Sequence, residues 1–295
     1  MNKQQIFRSL YHFSMKNFGG KGLRKYPFVR IMKNYMISQA KSDFAIVQGH
    51  KMYLGPKDSL NLSINGVYED VETEFVKKII HEGDIVLDIG ANIGYYSLIF
   101  AKLVGKLGKV FSFEPEPYNF SLLNKNIKIN HYDNVVTENR VVSDFNGITK
   151  LYLSEMRTGM HRIYPSRYTT SKTVDVKTIS IDDYFQNNEL KDKISFVKID
   201  VEGSELGVLH GMKNILQNNH KIKILLEFVP FCIREFGAKP KDLLDFLNDM
   251  NFKFYYRNDD TNNLEMTNTD FLLEKFDITQ FNDIPPGTNI LCSRE

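Results

Sequence analysis

The chain is expected to fold as an α/β protein: a doubly wound, mostly parallel sheet with helices on both faces. Three observations carry that expectation. Apolar, strand-length runs alternate with helical patterns from about residue 71 to residue 256. The first run, Ile85-Val86-Leu87, stops at Asp88 and leads into Gly90-Ala91-Asn92-Ile93-Gly94 and a helical pattern, the signature of a strand, a tight turn and a helix N-terminus. The second run, Val110-Phe111-Ser112-Phe113, ends at Glu114, twenty-four residues after Gly90.

The elements follow in order. Residues 1–42 read as two amphipathic helices. Phe7, Leu10, Tyr11 and Phe18 mark one face, and Phe28, Ile31, Met32, Tyr35 and Met36 another, with Gly19, Gly20 and Gly22 as breakers. The favoured role is packing on the main domain or on a second subunit. The alternative is a basic face resting on an anionic membrane or a charged substrate. Phe44–Val47, Lys51–Leu54 and Leu60–Ile64 suggest short strands. A helix over 71–81 then leads into strand Ile85–Ile89, helix Gly94–Val104, strand Lys109–Phe113, helix Tyr118–Ile129 and strand Val135–Val142. An antiparallel insertion at about 145–180 follows, with Ile148–Leu153 and Thr173–Ile179 as its strands and a short helix capped by Ser180. Strand Ile194–Ile199, helix Gly203–Leu216, strand Ile222–Phe228, helix Asp242–Met250, strand Phe252–Tyr256 and a last strand at Asn289–Cys292 complete the pattern. The expected organisation is an N-terminal extension over 1–65 and one domain over 66–295.

Composition is that of a globular domain, with 42% hydrophobic and 25% charged residues. Net charge is only +2, yet nine basic residues and no acidic one precede Asp43. No apolar run has the length of a membrane span, and no signal-peptide core is present at the start. The two cysteines, Cys232 and Cys292, lack disulfide or metal spacing, so a reducing, cytoplasmic setting is expected, with peripheral membrane contact as an option.

In such a sheet, ligands sit at the carboxyl ends of the strands. Those ends carry Asp88 and Asn92, Glu114, Ser143 and Asp144, Asp200 and Glu202, and Glu227. A Gly90-x-x-x-Gly94 spacing beside a carboxylate suits a cofactor with an ammonium and a sulfonium better than a pyrophosphate, which favours S-adenosylmethionine over NAD. Asp200, Glu202, Glu227 and His161 are the candidate general bases. His161-Arg162 offers a near-neutral base beside a clamp for an anionic acceptor, with Tyr164, Arg167 and Tyr168 as further pocket residues. The acids Asp200, Glu202 and Glu227 also suit magnesium, but a metal is not favoured because nothing in their spacing shows convergence.

Three segments, Asp88-Ile-Gly90-Ala-Asn92-Ile-Gly94, Phe113-Glu114-Pro115 and Val197-Lys-Ile-Asp200-Val-Glu202-Gly203-Ser-Glu205, resemble the FkbM-type methyltransferases, a family of class I S-adenosylmethionine-dependent enzymes with a Rossmann-like sheet. The resemblance covers about 66–228. It implies O-methylation of a hydroxyl on a small molecule, and the leading expectation is a sugar or a glycan or glycolipid precursor. It places Asp88, Gly90 and Asn92 by the methionine end, with Gly94 also binding the cofactor, Glu114 on the ribose, Ser143 or Asp144 on the adenine, and Asp200 near the methyl group. Alternatives are an RNA methyltransferase or a non-catalytic scaffold. The strand exit Asp200-Val201-Glu202-Gly203 lacks the proline-aromatic motif of base methylation, which counts against nucleic acid. Homo-oligomerisation stays open.

Overall fold

A computed structural model describes residues 3–18, 26–56, 58, 60–155, 159–258, 261, 263–281 and 285–294. The breakers Gly19, Gly20 and Gly22 lie outside the described residues. Two compact units divide the chain, Met1–Asp70 and Val71–Glu295. Among the described residues no helix is long and apolar enough to cross a membrane.

The first unit holds helices α1 (Lys3–Phe18) and α2 (Pro27–Ala40), a hairpin of β1 (Phe44–Val47) and β2 (His50–Tyr53), and a helical turn α3 (Leu62–Asn65). The Leu60–Ile64 segment was expected to be a strand and is instead helical. The buried Asp58 carboxylate accepts from the Leu62 and Ser63 amides at 2.9 and 3.0 Å, a side-chain cap that favours a helical start.

The second unit runs through α4 (Asp70–Ile79), β3 (Ile85–Ile89), α5 (Tyr95–Val104), β4 (Lys109–Phe113), α6 (Pro117–Ile129), β5 (Val135–Glu138), β6 (Val141–Val142), β7 (Gly147–Tyr152), β8 (Thr173–Ile179), α7 (Ile181–Tyr184) and β9 (Ile194–Ile199). It continues with α8 (Glu205–His210), α9 (Lys213–Asn218), β10 (Lys223–Phe228), α10 (Pro230–Phe236), α11 (Pro240–Asp249), β11 (Lys253–Arg257), β12 (Leu264–Thr267), α12 (Thr269–Phe276) and β13 (Thr288–Ser293). The main sheet has the order β12-β11-β13-β10-β9-β3-β4-β5. Strands β5, β4, β3, β9 and β10 are parallel, while β13, β11 and β12 extend one side antiparallel. This is an α/β fold with a mixed, mostly parallel sheet, as expected. Its central strand β3 is buried along its whole length, as a strand covered on both faces must be.

Two elements break where continuous ones were expected. The strand read over Val135–Val142 splits at Asn139. That side chain donates to the Glu114 and Pro115 carbonyls at 2.8 and 3.0 Å and leads the chain out of the main sheet. β6 then pairs with β8 in a second sheet of order β6-β8-β7, built from the antiparallel insertion. The helix read over Gly203–Leu216 is two, α8 and α9, parted at Gly211-Met212. Asp182 caps the second, accepting from the Asn214 and Ile215 amides at 2.9 and 3.0 Å. Helices α10 and α12 and strand β12 were not expected.

Candidate active site

The glycine turn is tied to the next strand. The Gly90 and Ala91 amides both donate to the Phe113 carbonyl, at 3.0 and 2.9 Å. Gly90 has φ +86, and a Cβ there would collide with the Asp200 carbonyl, so this glycine permits both the turn and a close approach of the β3 and β9 tips. The Asp200 amide donates to the Ile89 carbonyl at 3.0 Å and locks the two tips together. Gly94 caps α5 with φ +90.

Glu114 sits at the β4 tip, where its two carboxylate oxygens accept from the Asn92 and Glu116 amides at 2.8 and 2.9 Å. The Asn119 side chain hydrogen-bonds the same carboxylate, which leaves one lone-pair site for another donor. Burial pushes its carboxyl up to about 8 despite those amides. Asn92 stands in the left-handed region at φ 51, and its buried Oδ1 has no hydrogen-bond partner among the described residues. Glycine at 159 lets the insertion descend onto this turn, since a Cβ there would come within 3.0 Å of Asn92 Nδ2. Asp88 lies lower than expected. It is buried inside β3 beneath the turn, where Ser97 donates to it at 2.5 Å and Ser112 donates to Ser97 at 2.9 Å. Burial raises its carboxyl above the usual range. At the start of the second sheet Ser143 is buried and donates to the exposed Asp144 carboxylate at 3.1 Å.

The β9 and β10 tips bring Asp200, Glu202 and Glu227 together, with ligand atoms within 4.8 Å of one another. Their separation along the chain concealed this. Such a trio could hold a cation, but two members already have one: Lys198 pairs with Asp200 at 2.7 Å and Arg162 with Glu202 at 2.8 Å. Glu202 also stands in the left-handed region, at φ 58. The buried Glu205, whose carboxyl burial pushes up to about 7, accepts from the Gly203 amide at 2.9 Å and braces the same loop.

Three residues of the insertion depart from their expected roles. Arg162, expected to clamp an acceptor, has a side chain only 1% exposed, held by Glu202, by Glu235 at 3.2 Å and by Ser166 at 2.6 Å. Its charge is consumed inside the protein. Tyr164 is also buried, and its hydroxyl donates to the Glu202 carbonyl at 2.7 Å, so it supports the loop rather than lining a pocket. His161 accepts at Nδ1 from the Ser154 amide at 2.9 Å. That bond keeps the proton on Nε2, the wrong tautomer for a base there.

Arg167 has a side chain 53% exposed, paired with Glu235 at 3.8 Å and lying over Phe231 at 4.2 Å and Phe281 at 5.2 Å. An open cavity of about 390 Å³ is lined by Arg167, Thr279, Gln280 and Phe281. Next to it, Tyr168 is buried, packs edge-on against Phe231, and its hydroxyl has no partner among the described residues. Lys198, Glu235 and Glu205 went unremarked as site residues. A lysine inside the apolar run Phe196-Val197-Lys198-Ile199 was the signal for the first; a buried charge in a central strand needs a partner. Glu235 carried no local signal.

The family model for the methyltransferase FkbM domain matches residues 88–254. A hexuronic acid methyltransferase, AglP, of Haloferax volcanii is 32% identical over 171 residues, covering 57% of this chain. The chain spans 63% of that relative, less than two thirds of its length. The methyltransferase sdnD of Sordaria araneosa is 24% identical over 178 residues, 50% of this chain and 68% of that one. Among solved structures, the methyltransferase FkbM of Methylobacillus flagellatus KT is similar at 14% identity and a TM-score of 0.42, covering 79% of this chain and 52% of that one.

Proposed function

The chain belongs to the FkbM methyltransferase family, and on that premise we propose that it is an S-adenosylmethionine-dependent O-methyltransferase acting on a hydroxyl of a carboxylated sugar. One observation carries the reading: the Gly90–Asp200 contact joins a ribose-type acid, Glu114, and its glycine turn to a second group of acids at neighbouring strand tips.

The cofactor supplies an electrophilic methyl group on a positively charged sulfur. The residues of this chain bind, orient and take a proton. Glu114 accepts from a ribose hydroxyl with the lone-pair site its own donors leave over. Gly90, Asn92 and Gly94 shape the turn at the methionine end, and the orphaned Asn92 Oδ1 suits an ammonium donor. Asp88 holds that turn from beneath through Ser97. Ser143 and Asp144 take the adenine edge. As the acceptor oxygen bonds the methyl carbon and the carbon–sulfur bond breaks, the hydroxyl proton must leave. Asp200, Glu202 and Glu227 converge at the strand tips and are the candidate acceptors of that proton. Lys198 and Arg162 already balance two of them, which favours proton transfer over a divalent ion for this group.

Two features support a carboxylated sugar. The relative of Haloferax volcanii is named for hexuronic acid. Arg167 offers a half-exposed guanidinium, loosely paired with Glu235, at an open cavity. Calorimetry should detect binding of S-adenosylmethionine; no heat would sink the cofactor assignment. With labelled cofactor, a hexuronic acid glycoside should accept methyl groups better than the neutral hexoside. Arg167→Ala should raise KM for the acid by roughly 10- to 100-fold and leave the neutral sugar unchanged. An equal effect on both sugars would remove the anionic subsite.

A further inference from the structure

Half of the exposed large hydrophobic residues among those described fall in the first forty positions: eight of sixteen. They are not scattered. On α1 they are Ile6, Leu10 and Phe13; on α2 they are Phe28, Ile31, Met32 and Tyr35, with Tyr26 just before. Both sets recur at spacings of three and four, so each helix carries an exposed apolar stripe. The helices meet with Phe7 edge-on to Tyr35 at 6.1 Å, and Tyr35 is still 57% exposed. Pairing therefore does not cover the stripes.

The charge of the same segment is of one sign. Lys3, Arg8, Lys16, Lys21, Arg24, Lys25, Arg30, Lys33 and Lys41 precede Asp43 without an acid among them. We infer that this helical hairpin docks on an anionic lipid surface, its apolar stripes entering the headgroup boundary and its lysines and arginines meeting lipid phosphates. Two other occupants fit less well. Nucleic acid would use the positive charge but would gain little from Ile6, Leu10, Ile31 and Met32. A two-fold pair of hairpins would set eight basic residues against eight, with no acid in the segment to relieve the repulsion. A lipid surface answers both properties at once, and neither helix has the length or apolarity to go further than the interface.

The full chain should co-float with vesicles of phosphatidylcholine and phosphatidylglycerol, and binding should fall as salt rises. It should bind far more weakly to phosphatidylcholine alone. Phe28→Asp with Ile31→Asp should abolish flotation. Reversing Lys16, Arg30 and Lys33 to glutamate should weaken it by roughly a hundredfold or more, at about fivefold per basic residue removed. Calorimetric binding of S-adenosylmethionine by both variants, unchanged from the parent, would show that they fold and that vesicle docking is separate from the proposed chemistry. Failure to float with anionic vesicles would overturn the inference. So would a stable dimer that the Phe28/Ile31 variant dissociates, or preferential binding of RNA over vesicles at equal charge.

Discussion

Glu114 shows at the scale of one residue how a site trades against the fold. Its carboxyl is buried and pushed up to about 8, while a ribose needs the ionised acceptor. Cofactor affinity should therefore rise with pH, by up to roughly tenfold per unit, and level off above the folded pKa. Glu114→Gln should remove that dependence and bind weakly throughout; a parent titration curve flat from pH 6 to pH 9 would contradict the assignment. This residue was legible in the sequence because an acid ending an apolar strand is a local pattern. Arg162 shows the opposite case. An arginine after a histidine in a polar insertion reads as a surface clamp, yet two distant acids, Glu202 and Glu235, draw it inside. Partners forty and seventy-three positions away leave no mark on the local sequence.

At the scale of elements, the parallel strands were readable because both faces are buried and their apolar runs are nearly unbroken. The antiparallel side was less so: β12 and α12 lie near the edge, with weaker patterns. The break between α8 and α9 is a tertiary effect. A Cβ on Gly211 would strike the Ser143 carbonyl, and the Asp182 amide donates to the Gly211 carbonyl at 2.9 Å. A continuous helix would displace the segment proposed to meet adenine. Gly211→Ala should lower stability by about 1–3 kcal/mol through overpacking, with any gain in helix propensity too small to offset it. Urea unfolding measures this, and a midpoint at or above that of the parent would refute the packing account. The same substitution should weaken cofactor binding, whereas Gly237→Ala, at φ +101 with nothing within 4 Å of its Cβ, should strain only its own helix cap.

The whole molecule carries several acids that prefer to be neutral. Glu114 is held up to about 8, Glu205 up to about 7, and Asp88 is raised as well, burial being the first cause in each. Their unfolded values are 4.5, 4.5 and 3.8. Below those values both states are protonated, and the groups cost the fold nothing. As pH rises, the unfolded chain releases protons first, so stability from Glu114 and Glu205 is lost between about pH 4.5 and pH 8, and Asp88 adds a loss of the same sign. The slope approaches about 1.4 kcal/mol per pH unit for each group while only the unfolded form is ionised. The ligand-free protein should thus melt at a lower temperature at about pH 8.5 than at about pH 6. Glu114→Gln with Glu205→Gln should flatten that profile and melt several degrees higher at the alkaline end. S-adenosylmethionine should raise the alkaline melting temperature of the parent more than that of the variant, because it binds the ionised Glu114 that the fold alone disfavours. If the variant melts lower at every pH, these carboxyls support the fold rather than tax it, and the coupling between site and stability fails. That coupling rests on Glu114, which the fold buries at the β4 tip, so that ionising it is costly until the cofactor meets it.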